Sequence, residues 1–324
     1  MAIKTSDINL DYFKIKDNLH QTFKNPNFSF RSVANVDIAR KMQDGKISRD
    51  VVELIKFVFQ VRFATHDQIS RGIGKEVSDK TIEELVRLKY LNVFTLGEFK
   101  EEHYAAKDSD MKFYVLDFAG IYVLNYEGVD TSNWRYTDSF KSSRVVRNNL
   151  IQGEVVIAFR NLNRLRVREY KENPEFRIGQ TEVNTDFSFS LAQPEEGSLP
   201  INFIGFISEN GYEDLNLSDR LRKVNSVFNE TKAGLKYYPL GQQTLPILLV
   251  VAQTSTDLSH IKRTAEVVGR TTDYAGSQCI IVGYDELVMK GFAGSRLFVF
   301  RTNEDTNTGI KNVEVGMASN TFLL

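Results

Sequence analysis

The chain has little of what stabilises or anchors many proteins. Among 324 residues there is one cysteine, Cys279, so no internal disulfide can form. This fits a reducing compartment and sets a cytoplasmic location as the expectation. The four histidines, His20, His66, His103 and His260, share no ligand spacing with each other or with Cys279, which argues against a zinc site. The longest strongly apolar run, Leu245 to Ala252, is too short for a bilayer and reads as a buried strand. Met1 to Asp7 has no apolar signal region, so neither secretion nor membrane insertion is expected. Net charge is also nearly absent: 41 basic against 42 acidic residues give −1. The molecule is no polycation, and any nucleic-acid surface must be a local basic patch. Gly72-Ile73-Gly74-Lys75 lacks the rest of a phosphate loop, and there is no Gly-x-Ser-x-Gly elbow. No cofactor is expected.

What is present is ordinary globular material, 42% hydrophobic and 26% charged, enough for two or three domains. Residues 1–46 read as an N-terminal arm whose aromatics, Tyr12 and Phe13 among them, argue for partial burial. Residues 47–128 read as a winged helix-turn-helix. Ser48 caps a helix with an apolar stripe from Val51 to Phe59. Thr65 is placed to cap a short helix that Gly72 to Gly74 breaks. Ser78 opens the next helix, to Lys89, with Ile82, Leu85, Val86 and Leu88 on one face. Leu91–Leu96 and Phe113–Leu116 then form two strands of a wing around a charged tip, and a helix follows to Leu124. A helix held across a short turn in this way is suited to the major groove.

Residues 129–138, with Trp134, read as a docking linker, and 139–324 as an α/β domain with a basic leading helix to about Lys171, interrupted at Gly153. Further on, strands at 186–191, 201–208, 245–253, 278–282 and 296–301 alternate with helices at 218–230, 257–271 and 284–289. Apolar strands alternating with helices predict a sheet covered on both faces.

Two surfaces are candidates for double-stranded DNA. The first is the helix from Ser78, offering Ser78, Lys80, Thr81 and Arg87, with Lys75 before it and Lys100, Lys107 and Lys112 on the wing. Lys80 or Arg87 is suited to guanine edges or phosphates. Glu83, Glu84 and the acids near the wing tip oppose a purely electrostatic mode. The second is the basic helix, with Arg144, Arg147 and Arg164. A solvated flank paired with acids explains such a run equally well. Binding as a homodimer on paired half-sites is the usual mode for such domains.

The order of motifs resembles the replication-relaxation family of bacterial plasmids and mobile elements. The family's Tyr-x-Leu-Thr-x-x-Gly signature stands here as Tyr114-Val115-Leu116-Asp117-Phe118-Ala119-Gly120, followed by Leu124, with Asp117 in the threonine's place. Arg144 or Arg147 stands where the family has a histidine. Ile207-Ser208-Glu209-Asn210-Gly211 keeps one acid and the glycine of a later strand motif, and Arg220-Leu221-Arg222-Lys223 matches the lysine-bearing helix after it. The resemblance spans roughly 50–300. It implies an α+β protein: an N-terminal winged helix-turn-helix, then an α/β domain with a mixed sheet of degenerate restriction-endonuclease-like type. It further implies a sequence-specific DNA-binding protein acting in replication or transcription control without catalysis. One alternative is a Mg²⁺-dependent nuclease or nicking accessory with Asp186 and Glu209 as acids and Lys223 positioning the water. Gly211 breaks that Glu-x-Lys motif. The other is a protein–protein adaptor with a winged fold.

Overall fold

The computed structural model describes residues 12–16, 19–23, 33–97, 111–160, 166–172, 174–178, 181–192, 201–208, 215–229, 246–272, 278–304 and 311–318. The protein is α+β, with nine α-helices and a mixed seven-stranded sheet among these residues. It divides into two compact units, Met1–Gly153 and Glu154–Leu324.

The first unit begins with a strand β1 (His20–Phe23) and helices α1 (Asn35–Gln43), α2 (Arg49–Val61), α3 (His66–Ile73) and α4 (Asp79–Arg87). Strands β2 (Leu91–Gly97) and β3 (Met111–Leu116) follow, then α5 (Phe118–Tyr126). The helix starts follow the side-chain chemistry. Ser48 accepts a hydrogen bond from Val51 N, and Ser78 one from Thr81 N at 3.2 Å. Thr65 and Gln68 form a complete capping box on α3, and Gly74 closes that helix in the left-handed conformation. The apolar stripe of α2 is buried as its spacing requires: Val52, Leu54, Ile55, Phe57, Val58 and Val61 all lie inside. Phe113 stacks on Phe94 and meets Phe63 edge-on.

β2 and β3 form an antiparallel pair, and β1 adds antiparallel to the other edge of β2, His20 opposite Gly97. The N-terminal arm is therefore part of the unit: it supplies a strand, and Tyr12 is fully buried with its hydroxyl 3.1 Å from Thr65 Oγ1. Between α2 and α3, Ala64 makes an isolated bridge to Tyr114. Gly120 of α5 lies where an added Cβ would meet the Tyr90 carbonyl oxygen at 2.5 Å, so only glycine allows this approach. In the segment 129–138, Trp134 packs edge-on against Phe118 at 5.2 Å.

Helix α6 (Ser143–Arg160) runs through the division between the units. Gly153 does not interrupt it. A Cβ there would sit 3.0 Å from Gln68 Nε2, so the glycine serves a close contact rather than a break. The helical expectation to Lys171 is corrected: strand β4 (Arg166–Glu172) begins instead. Charge alone carries no periodicity that separates helix from edge strand.

The second unit continues with β5 (Glu175–Ile178), β6 (Thr181–Asn184), β7 (Phe187–Ala192), β8 (Ile201–Ser208), α7 (Leu215–Asn229) and β9 (Ile247–Ala252). Then come α8 (Leu258–Thr271), β10 (Cys279–Gly283), α9 (Tyr284–Gly294), β11 (Leu297–Glu304) and β12 (Lys311–Met317). The large sheet has the order β12-β11-β10-β9-β8-β7-β4. β8, β9 and β10 are parallel at its centre, and antiparallel strands flank them. Residues alternate between two covered faces, as their near-continuous apolar sequence requires. Ile204, Phe206, Leu248, Val250 and Ile281 join Leu221 of α7 and Ile261 of α8 in one core cluster. On the other face Phe189 and Phe203 meet Phe159 of α6, which stacks on Phe292 of α9 at 4.2 Å.

Candidate nucleic-acid interface

Helix α4 carries a clear amphipathic division. Ile82 and Leu85 are buried, whereas Ser78, Asp79, Lys80, Thr81, Glu83, Glu84 and Arg87 are exposed. His66 fixes its first turn relative to α3: Nε2 lies 2.6 Å from the Val77 carbonyl and Nδ1 lies 3.0 Å from Asp79 Oδ1. Ser70 Oγ accepts from Val77 N at 3.1 Å and holds the same turn. The outward face is thus set by buried apolar residues below and by polar clamps at the start.

The exposed cations differ in how free they are. Arg87 is engaged by Glu84, with Nε donating to Oε2 at 2.7 Å. That bond raises the Arg87 pKa and lowers that of Glu84. Lys75 pairs with Asp50. Lys80 has no ion pair among the described residues. Ser78 Oγ and Thr81 Oγ1 lie 2.8 Å apart, which leaves both hydroxyls at the surface. Lys112 is exposed on β3. Lys100 and Lys107 lie outside the described residues, as does Arg164.

The basic-helix surface needs one correction. Arg144 is exposed on α6, but Arg147 is buried and its Nη1 donates to the Ile15 carbonyl at 3.0 Å. An enclosed guanidinium is not available to a phosphate, so Arg147 joins the arm to the first unit instead. Sequence periodicity did not mark it, because a long cationic side chain can follow an apolar face.

In the second unit, Asp186 is buried at the start of β7. Its Oδ2 accepts from Ile207 N at 2.7 Å and its Oδ1 from Arg220 Nη2 at 2.9 Å. Arg220 also donates to the Asn184 carbonyl and lies over the Phe206 ring. Both carboxylate oxygens are therefore used in tying β7 to β8 and α7. Lys223 is exposed on α7, and Glu209 lies outside the described residues. Among the described residues no group of three His, Cys, Asp or Glu side chains is placed to hold a metal ion. Among the described residues, Asp186 is held by Ile207 N and Arg220, and no hydrogen bond or ion pair joins it to Lys223.

Two features had no sequence signal beyond their residue types. Asp285 stands in the first turn of α9, directly after β10, where it accepts from Thr254 Oγ1 at 2.7 Å and Ser255 N at 2.8 Å in the loop after β9, and from Glu286 N at 2.9 Å. Burial works to raise its pKa, but these bonds and those from Thr256 outweigh it and hold the carboxyl at about 2. Glu286 beside it binds Lys290 and the Arg296 backbone and guanidinium. The cluster is internally satisfied and reads as a clamp that ties the start of α9 to the loop after β9 and to Arg296 before β11. The second feature is Asp117, at the start of α5. It caps α5 through a 2.7 Å bond from Phe118 N and is wholly buried. Its Oδ2 has no hydrogen-bond partner among the described residues. Desolvation pushes its pKa up to about 6 against the bond from Phe118 N.

No family model, curated protein or solved structure matches the chain. Among the described residues no helix is long and apolar enough to cross a membrane.

Proposed function

We propose that the first unit is a winged helix-turn-helix that binds double-stranded DNA, with α4 entering the major groove and the β2–β3 ribbon as its wing. The observation that carries the reading is the exposed face of α4. Lys80, Ser78 and Thr81 stand on a helix whose orientation is fixed by a capped turn and a buried apolar side. The bridge from Ala64 to Tyr114 supports it, because it ties the segment before α3 to the wing strand. Lys80 supplies a groove or phosphate contact, and Ser78 and Thr81 supply hydroxyl contacts. Lys112 contacts phosphate from the wing, and Arg144 from a second surface. Arg87 contributes only where DNA displaces Glu84. The α/β unit is of degenerate restriction-endonuclease-like type and supports a homodimer rather than catalysis. The resemblance to the replication-relaxation family adds the proposal that the regulated process is replication or transcription of a plasmid or other mobile element.

A protein–protein adaptor is the second reading, and the charge of α4 favours it: Asp79, Glu83 and Glu84 outnumber Lys80 and Arg87. A gel shift with duplex DNA flanking the protein's own gene, run over a series of salt concentrations, separates the two. DNA recognition predicts a shift that weakens steeply with salt, because phosphate contacts release counterions. Absence of a shift, or one indifferent to salt, selects the adaptor.

A further inference from the structure

A groove of about 310 Å³ lies between α4 and the segment that enters α2. Val51, Leu85 and Leu88 give it an apolar floor, and Tyr90 closes one side. Tyr90 is only 3% exposed, and it lines the groove. A phenol hydroxyl at the wall of a groove can donate to a ligand's oxygen. Desolvation raises its pKa, which keeps the phenol protonated as a donor.

The rim charges decide what kind of ligand fits. Lys46 is neutralised by Asp44 at 2.9 Å, and Glu84 by Arg87. Lys80 is left as the uncompensated charge, so the groove carries a net positive charge above an apolar floor. The groove has room for a ligand of small-molecule size. From this geometry we infer that the groove binds a small amphiphilic monoanion, an aliphatic carboxylate whose chain lies on Val51, Leu85 and Leu88 and whose head meets Lys80 and the Tyr90 hydroxyl. The site itself does not depend on the DNA reading. Its consequence rests on that reading: a carboxylate here covers Lys80 and Thr81, and so competes with DNA.

The test is calorimetric titration of the full chain with octanoate, and with octylammonium and octanol as controls of equal chain length. Octanoate is expected to bind at one site per chain, about tenfold or more tighter than either control, a modest demand on one ion pair at a half-exposed rim. Lys80→Met, checked for folding by circular dichroism, is expected to lose that preference. Tyr90→Phe is expected to weaken octanoate several-fold and leave octanol unchanged. No saturable octanoate binding, or equal binding of all three ligands, overturns the proposal. So does an octanoate preference that survives Lys80→Met. A separate displacement titration with bound DNA reads the consequence. Octanoate binding that leaves the DNA complex untouched overturns the competition and leaves the site standing.

Discussion

Gln68 donates from Nε2 to the carbonyl of Leu150 at 2.7 Å while its Oε1 accepts from Thr65 N at 3.1 Å. One buried amide therefore closes the capping box of α3 and fixes α6 against it. Gly153 stands one turn along α6, at the distance that leaves no room for a Cβ without moving this amide. Gln68→Ala should cost about 2 kcal/mol, since it removes half of a capping box and a buried hydrogen bond together. Gly153→Ala gains about 1 kcal/mol of helix propensity but meets an amide held at both ends, and it should destabilise the wild type. In the Gln68→Ala background the contact is gone, and the same substitution should stabilise. Urea denaturation of the four proteins measures the cycle. Additive single effects would contradict this packing.

Asp117 predicts a pH dependence with a definite sign. Its folded pKa of about 6 lies above the unfolded value of about 3.9. The folded state therefore binds the proton more tightly. Stability from this group is highest when both states are protonated, falls as pH rises from about 4 to about 6, and stays low above that. Asp117→Asn keeps the cap acceptor without the charge. It should raise stability by about 2 kcal/mol near neutral pH, with the gain fading toward pH 4. Thermal unfolding of both proteins across that range checks it. A loss of stability at neutral pH would mean that the carboxylate is paired in the fold.

The Asp186–Arg220 pair separates a structural acid from a catalytic one. Asp186→Ala strands a half-buried guanidinium and a buried backbone N–H, and should cost about 3 kcal/mol. A nuclease ligand behaves differently: its removal spares stability and abolishes Mg²⁺-dependent cutting. Denaturation midpoints and a plasmid-nicking assay on the same preparation distinguish the two.

The elements most legible in the sequence were those with a cap or a single period. Ser48, Thr65 and Ser78 each sit where a hydroxyl satisfies a free helix N–H, so the starts of α2, α3 and α4 could be read directly. The apolar run Ile201–Ser208 became β8 without a change of boundary. Helix α1 was not anticipated, because Ala34 before it offers no side-chain cap. Strand β1 has no local signature, because its partner β2 lies about seventy residues on in sequence. The candidate site was legible as residue types but not as contacts. Neither the Glu84 clamp on Arg87 nor the burial of Arg147 has a signature in composition or spacing.

The proposed DNA-binding function assigns the contact on α4 to Lys80 rather than to Arg87, which Glu84 engages. The direct measurement is fluorescence anisotropy on a bound duplex for the wild type, Lys80→Ala and Arg87→Ala, each over a salt series. Lys80→Ala should weaken binding about tenfold and lower the log–log salt slope by about 0.9, the signature of one lost phosphate contact. Arg87→Ala should change either quantity far less. Lys80→Ala binding DNA as tightly as the wild type, with an unchanged slope, would contradict the assignment of α4 as the recognition helix.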